Sequence, residues 1–321
     1  MTDESQLKSV DEFLATVLEL AEPLAPFEMP LLDAHGAVLA QDLYVGDRLV
    51  LKAGSPIRSA QIGLAASLGL KRLPCIPHPR VVVISIGKDL VEPGSDFAND
   101  SKSYEVNSWM LSTIAREAGA TTFRVHSEIS DSEKIKDLIL DQLVRADILV
   151  ISGDNTVNTQ SQISQTLQEL GEVQSIELKL THGGLYQYLV LGPDSTVLLH
   201  LPSESFPAFV GGEIFLRPII KTMMGAKNLL RSSVKAQLAV DINSEKGKRE
   251  FIPVTLEAGE DGNSRRKIMA KPLLNSETVI TDVDSYLLNL AEAQGLLVVP
   301  ENADQLISGN MVEVLLLDSN R

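Results

Sequence analysis

One short loop, Ser152-Gly153-Asp154-Asn155-Thr156-Val157-Asn158, combines a hydroxyl, a glycine and a carboxylate at a strand-to-helix junction. It follows the apolar run Asp147 to Ile151, and ligands of open α/β sheets gather beyond the carboxyl ends of such strands. Gly153 can bring backbone amides close to an anion, but Asp154 stands beside it. A carboxylate within a few ångströms of a phosphate repels it by about 1–4 kcal/mol at effective dielectrics of 80 to 20. The same residues also read as a plain turn, with Asp154 or Asn155 as helix N-cap. Asp131, next to Ser130, is likewise suited to capping a helix.

Other chemistries lack their signatures. His78, His126, His182 and His200 share no i, i+4 spacing, so a zinc site has no support. His182-Gly183-Gly184 has the look of an oxyanion-hole loop, but no G-x-S-x-G elbow accompanies it. Neither a Walker A nor a G-x-G-x-x-G sequence occurs. The lone Cys75, between Pro74 and Ile76, excludes an internal disulfide and a Cys-rich metal site. It reads as an inert packing residue, and single-cysteine usage fits a reducing compartment.

The elements that must hold these loops follow from periodicity. Val10, Phe13, Leu14, Val17, Leu18 and Ala21 predict a helix within residues 7–22. Leu31 to Leu43 reads as turn and short strand, and Ser59 to Leu68 as a second helix stopped by Gly69. Pro74, Pro77 and Pro79 mark a linker, which puts the first boundary near residue 76. A β/α alternation follows. Strands are expected at Val81 to Ile86, Thr121 to Val125, Asp147 to Ile151, Ser175 to Leu180, Tyr186 to Leu191 and Val197 to Leu201. Helices are expected at Glu105 to Glu117, Ser132 to Val144 and Val157 to Leu170. Phe206 to Met224 holds apolar residues at helical spacing and reads as core or dimer face. This alternation predicts a doubly wound, mostly parallel sheet over residues 76–228. From residue 229 to 321 short runs at Lys235 to Val240, Glu250 to Leu256 and Val312 to Leu317 predict a small β domain, with a hairpin turn at Glu260-Asp261-Gly262-Asn263. Residues 1–75 form an N-terminal helical and extended region.

Composition narrows the partners. The 321 residues hold 28 Lys and Arg against 43 Asp and Glu, a net charge of −15 that argues against nucleic acid and acidic lipid. No apolar run has the length of a membrane span, and the start Met-Thr-Asp-Glu-Ser is acidic where a signal peptide is basic, so a cytoplasmic location is expected.

Three segments in order carry a family resemblance. Pro30-Leu31-Leu32-Asp33-Ala34-His35-Gly36-Ala37-Val38-Leu39-Ala40-Gln41-Asp42-Leu43 is similar to a P-L-x-x-A-x-G-R-V-L-A-E-D-V pattern, with Ala37 where Arg is usual. Leu51 to Leu70 carries Ala53-Gly54 and Ala66-Ser67-Leu68-Gly69-Leu70, and Gly247-Lys248-Arg249-Glu250-Phe251 resembles G-R-R-E-F. Together they resemble the molybdopterin molybdotransferase family, the MoeA and gephyrin E-domain proteins. The resemblance implies a MoaB/Mog-like three-layer α/β domain, flanked by the N-terminal region and the C-terminal β domain, in an elongated homodimer. It implies insertion of molybdenum from molybdate into adenylylated molybdopterin, with Mg²⁺, releasing AMP.

The departures from the family pattern fall on its chemistry. A family domain that begins S-A-M-D-G-Y-A is missing between Leu43 and Leu51, where only Tyr44 to Val50 bridge the gap. The S-G-G-x-S-x-G loop becomes Ser152 to Asn158, with Asp154 in place of a glycine. In Ile86-Gly87-Lys88-Asp89-Leu90, the counterpart of T-G-D-E-L, Lys88 replaces Asp and Asp89 takes the Glu position. The two lysines of K-P-G-K-P become Thr181 and Gly184, and L-P-G-N-P-V-S becomes Leu201 to Pro207 with Ser203 and Glu204. Tyr104-Glu105-Val106-Asn107 keeps the Asn of Y-D-x-N. The resulting expectation is a non-catalytic, dimeric scaffold or regulatory protein, with a possible protein partner. The alternative is retained pterin binding or molybdotransferase activity, through Asp89, Asn107, Asp131, Ser152 and Gly153, with Mg²⁺ and molybdopterin.

Overall fold

Ser9 and Glu12 open the first helix with a reciprocal capping box, each backbone N–H donating to the other's side chain. The computed structural model describes residues 7–96, 102–129, 131–260, 266–273 and 284–317. Helix α1 (Val10–Leu18) is shorter than the 7–22 window, because no glycine caps it and Pro23 pushes Glu22 away from helical geometry. Phe13 meets Phe215 edge-on at 4.6 Å and Tyr186 at 5.9 Å, so this helix is anchored in the core of the central α/β layer.

The rest of the N-terminal region builds its own small core from Met29, Ala34, Leu39, Ile57, Leu73 and Cys75. It contains β1 (Phe27–Pro30), β2 (Val38–Leu39), β3 (Leu43–Val45), β4 (Arg48–Leu51), α2 (Ser59–Ser67) and β5 (Arg72–Ile76). The expected linker at Pro74 is corrected: β5 is the middle strand of the order β1-β5-β2. Proline is tolerated there because β2 ends at Leu39, and beyond it Pro74 has only to accept from the Ala40 N–H. Where the family's extra domain would enter, β3 and β4 form a tight hairpin with Val45 opposite Arg48. Gly46, at φ 57°, supplies the positive dihedral that its two-residue loop needs.

The central layer runs through β6 (Arg80–Ile86), β7 (Leu90–Val91), β8 (Ser103–Tyr104), α3 (Asn107–Ala118), β9 (Thr121–Ser127), α4 (Ser132–Leu143) and β10 (Ile148–Gly153). It continues with α5 (Val157–Leu170), β11 (Gln174–Glu177), β12 (Leu185–Leu191) and β13 (Thr196–His200). The six-stranded order is β11-β12-β13-β10-β6-β9, in which β13, β10, β6 and β9 are parallel. At the other edge β12 and β11 run antiparallel. The mostly parallel, three-layer expectation therefore holds. Val81, Val83 and Val150 bury one face against α1 and α3, while Val82, Ile84 and Leu149 bury the other against α4 and α5. Burial on both sides is why these strands read as unbroken aliphatic runs.

Phe206 to Met224 lies in one continuous helical stretch, in which α6 (Ser205–Gly211) and α7 (Arg217–Met223) are joined through a π-helical turn (Gly212–Leu216). It is core: Phe206, Phe215, Leu216, Ile219 and Ile220 are all buried in it. Gly119 ends α3 at φ 107°, and a Cβ there would lie 2.8 Å from Met224 Sδ. Gly119→Ala is therefore expected to cost about 1–2 kcal/mol, read as a lower urea midpoint. An unchanged midpoint would mean that the turn relaxes freely.

The C-terminal region contains β14 (Ser233–Leu238), β15 (Ile242–Asn243), β16 (Glu250–Glu260), β17 (Arg266–Pro272), α8 (Ser285–Glu292), β18 (Gly295–Val299), β19 (Gln305–Leu306) and β20 (Met311–Leu316). Five strands close a barrel in the order β14-β17-β16-β18-β20. The turn residues Asp261 to Asn263 lie outside the described residues, but β16 and β17 pair antiparallel up to Glu260 opposite Arg266. Arg249 joins the barrel to the rest, with both terminal nitrogens 2.7 Å from the Asp11 carboxylate of α1 and its carbonyl accepting from Thr181 N–H. That Arg249 hydrogen bond, ahead of an opposing desolvation, holds the Asp11 carboxyl below its usual value. Among the described residues no helix is long and apolar enough to cross a membrane.

Candidate functional site

Parallel pairing puts Ser152 of β10 beside Ser85 of β6, and Gly153 beside Ile86, at the carboxyl edge of the sheet. Asn107 opens α3 over that edge. Its Nδ2 donates to Ser152 Oγ at 2.9 Å and to the Ser203 carbonyl at 2.7 Å, which spends both amide hydrogens. Asn107 thus ties the end of β10 to the loop leaving β13. Ser152 and Asn107 are both buried.

Asp154 sits against the neighbouring turn. Its N–H donates to the Ile86 carbonyl at 2.8 Å, and Oδ1 accepts from the Thr156 N–H at 3.0 Å and the Thr156 hydroxyl at 2.6 Å. The expected N-cap at Asp154 or Asn155 is corrected to Thr156, whose hydroxyl accepts from the Thr159 N–H. A hydroxyl three residues before a free helical N–H outcompetes the carboxylate for that amide, and the carboxylate braces Thr156 instead.

The remaining candidates are scattered around this edge. Lys88 is exposed, and Asp89 is half-buried with its carbonyl accepting from Ser103 N–H. Asp131 caps α4, accepting from the Glu133 and Lys134 N–H groups at 3.1 and 3.3 Å. Ser130 lies outside the described residues. The Thr181 N–H donates to the Arg249 carbonyl, and Gly184 packs so closely on Pro202 that a Cβ would stand 2.9 Å from its Cγ. Glu204 is exposed at the N-cap of α6. The edge therefore gathers Asn107, Ser152, Ser203 and Asp154, while Lys88 points to solvent and Asp131 is used in capping.

Sequence reading missed a charged cluster beside Asn107. Glu105, 1% exposed, accepts from the Ser108 N–H at 2.8 Å and from its hydroxyl. Arg124 reaches Glu92 at 2.6 Å and Glu105 at 3.6 Å, and lies 3.8 Å from the centre of the Trp109 ring. The only local signal was Glu105 three residues before Ser108. A second contact brings the C-terminal region over the 181–184 loop: the Tyr286 ring stacks on Phe206 at 5.0 Å, and its hydroxyl lies 3.3 Å from His182 Nε2. Among the described residues no group of three or more His, Cys, Asp or Glu side chains is arranged to hold a metal ion.

Comparison with known proteins gives consistent results. The family model for the MoeA C-terminal region (domain IV) matches residues 235–317. Molybdopterin molybdenumtransferase 1 of Mycobacterium tuberculosis (strain ATCC 25618 / H37Rv) is 30% identical over 277 residues, covering 86% of this chain and 63% of that protein. Molybdopterin molybdenumtransferase of Staphylococcus aureus (strain N315) is 23% identical over 286 residues, covering 87% and 64%. The chain thus spans less than two thirds of the length of these relatives. The crystal structure of the molybdopterin biosynthesis MoeA protein from Pyrococcus horikosii superposes with a TM-score of 0.77 at 17% identity, covering 98% of this chain and all of that one. That likeness bears on the fold.

Proposed function

The chain belongs to the MoeA family of molybdenum cofactor biosynthesis, and from that premise we propose that it is a catalytically degenerate member acting as a dimeric scaffold or regulatory protein. One observation carries this reading. Of the loops at the carboxyl edge, the one after β10 buries a carboxylate at Asp154. The 181–184 loop, where the family resemblance implies two lysines, holds Thr181 and Gly184 instead, with Gly184 packed closely on Pro202. Transfer of molybdenum between two anionic substrates needs cations or backbone donors around both. Lys88, the one lysine in these loops, is exposed. The tight β3–β4 hairpin closes the place where the resemblance implies a further domain, and so supports the same reading.

A homodimer in the cytoplasm fits the family resemblance and the single buried cysteine. Exposed Phe27, Leu32, Tyr44 and Val45 on the N-terminal region offer apolar surface for contact with another protein. One observation favours a second reading, in which a pterin still binds. Asn107 keeps the position implied for it and holds Ser152 and Ser203 together. Complementation separates the two. Expression in a strain lacking its molybdopterin molybdotransferase is expected to leave growth on a molybdoenzyme-dependent substrate absent, and restored growth would overturn the degenerate reading.

A further inference from the structure

The loop after β10 closes on itself. Asp154 N–H is taken by Ile86 O, the Thr156 N–H by Asp154 Oδ1, and the Thr159 N–H by Thr156 Oγ. The Gln160 side chain donates to the Asp154 carbonyl at 2.6 Å and, with Ile163, crowds Gly153. The carboxylate itself lies between this loop and the turn after β6: a Cβ on Gly87 would stand 2.6 Å from Asp154 Oδ2. Asp154 is only 5% exposed, and Oδ2 meets no hydrogen-bond donor among the described residues. Bracing Thr156 needs only one oxygen, and a serine there could supply it without burying a charge. The second oxygen, turned toward Gly87, is left without an explanation in local structure.

We propose that Asp154 is the specificity-determining residue of this site, its carboxylate serving as an internal surrogate for an oxyanion. It fills the space between Gly87 and the first turn of α5, so that an oxygen of a bound phosphate or molybdate finds no room there. The inference rests on the reading of these loops as the family's ligand site and adds a mechanism to it. Occupancy of that space, more than charge repulsion across it, keeps anions out. A neutral residue of the same shape should therefore keep the site closed.

The test is calorimetric titration of the full chain with inorganic phosphate and with molybdate, for wild type, D154G and D154N, with circular dichroism to verify folding. D154G is expected to bind either anion at least about tenfold more tightly than wild type, and D154N is expected to remain like wild type. If D154G does not fold, D154S removes the charge and the second oxygen while keeping a turn-bracing hydroxyl, and is expected to show the same gain. Equal gains in D154N and D154G would assign the exclusion to charge alone and overturn the proposal. So would a folded D154G or D154S that gains nothing. The degenerate reading fails separately, through wild-type complementation, whatever these variants bind.

Discussion

Glu213→Gln is expected to destabilise the protein by about 3–5 kcal/mol, the usual cost of removing one charge from a buried ion pair. Glu213 lies in the π-helical turn and is 3% exposed. Arg217 grips its carboxylate through Nε at 2.6 Å and a terminal nitrogen at 3.1 Å, and Arg231 does so at 2.6 and 2.8 Å. Arg231 also donates to the Leu317 carbonyl at 2.6 Å, so the carboxylate links the long helix of the α/β layer to the end of the barrel. Burial by itself would raise the Glu213 pKa. Hydrogen bonds from Arg231 and Arg217, with their charges, outweigh it and hold the carboxyl below its usual value. A depressed carboxyl contributes its full stability above the unfolded value and loses it as pH falls through the folded one. Glutamine keeps the shape but leaves two largely buried guanidinium groups facing Glu117, which is half-exposed and bonds them at 2.9 and 3.4 Å. Urea unfolding at neutral pH is the measurement. A loss below about 1 kcal/mol would mean that Glu117 and solvent replace the lost charge.

None of that cluster could be read from the sequence. Glu213 and Arg217, four residues apart, lie in the segment Phe206 to Met224, which reads as core or dimer face from its apolar residues alone. Burial of the charged pair depends on Gly211 and Gly212, which let the helix approach Tyr186, Leu111 and Ile114, and on Arg231 arriving from the linker. The π turn was invisible because its apolar residues keep nearly helical spacing on either side. The central strands were legible because burial on both faces demands unbroken aliphatic runs such as Val81 to Ile86. Pro74 misled because proline marks a linker unless the facing strand has ended, and the length of β2 is a tertiary property. Within the site, the local features were legible: the strand-to-helix loop, its intrusive Asp154 and the capping by Asp131. The joining of Asn107 to Ser152 and Ser203 spans 45 and 96 residues, and only the folded sheet brings those ends together.

Stability is also expected to fall steeply with pH between about 6.5 and 4 because of His200. Its side chain is 1% exposed on β13. Nδ1 lies 2.8 Å from Gln187 Oε1, which can only accept, so Nδ1 carries the proton and Nε2 is a bare lone pair. Nε2 has no partner among the described residues. The Gln187 amide is fixed in turn, accepting from Ser164 and donating to Ser175. A proton on Nε2 would make a buried imidazolium with no acceptor for that proton among the described residues, and burial pushes the His200 pKa down from 6.5 to about 4. The folded protein therefore keeps His200 neutral where the unfolded chain takes up a proton. The stabilising difference is fully present above 6.5, shrinks as pH falls, and is exhausted near 4, a total of about 3 kcal/mol. His200→Gln keeps a donor for Gln187 and removes the titration. Urea unfolding of both proteins across this range is expected to show a shallower pH slope for the variant, with the gap widening from pH 6.5 downward. Parallel slopes would defeat the assignment and place the proton uptake on carboxylates such as Glu213 and Asp11, whose depressed values favour losses in the lower part of the range.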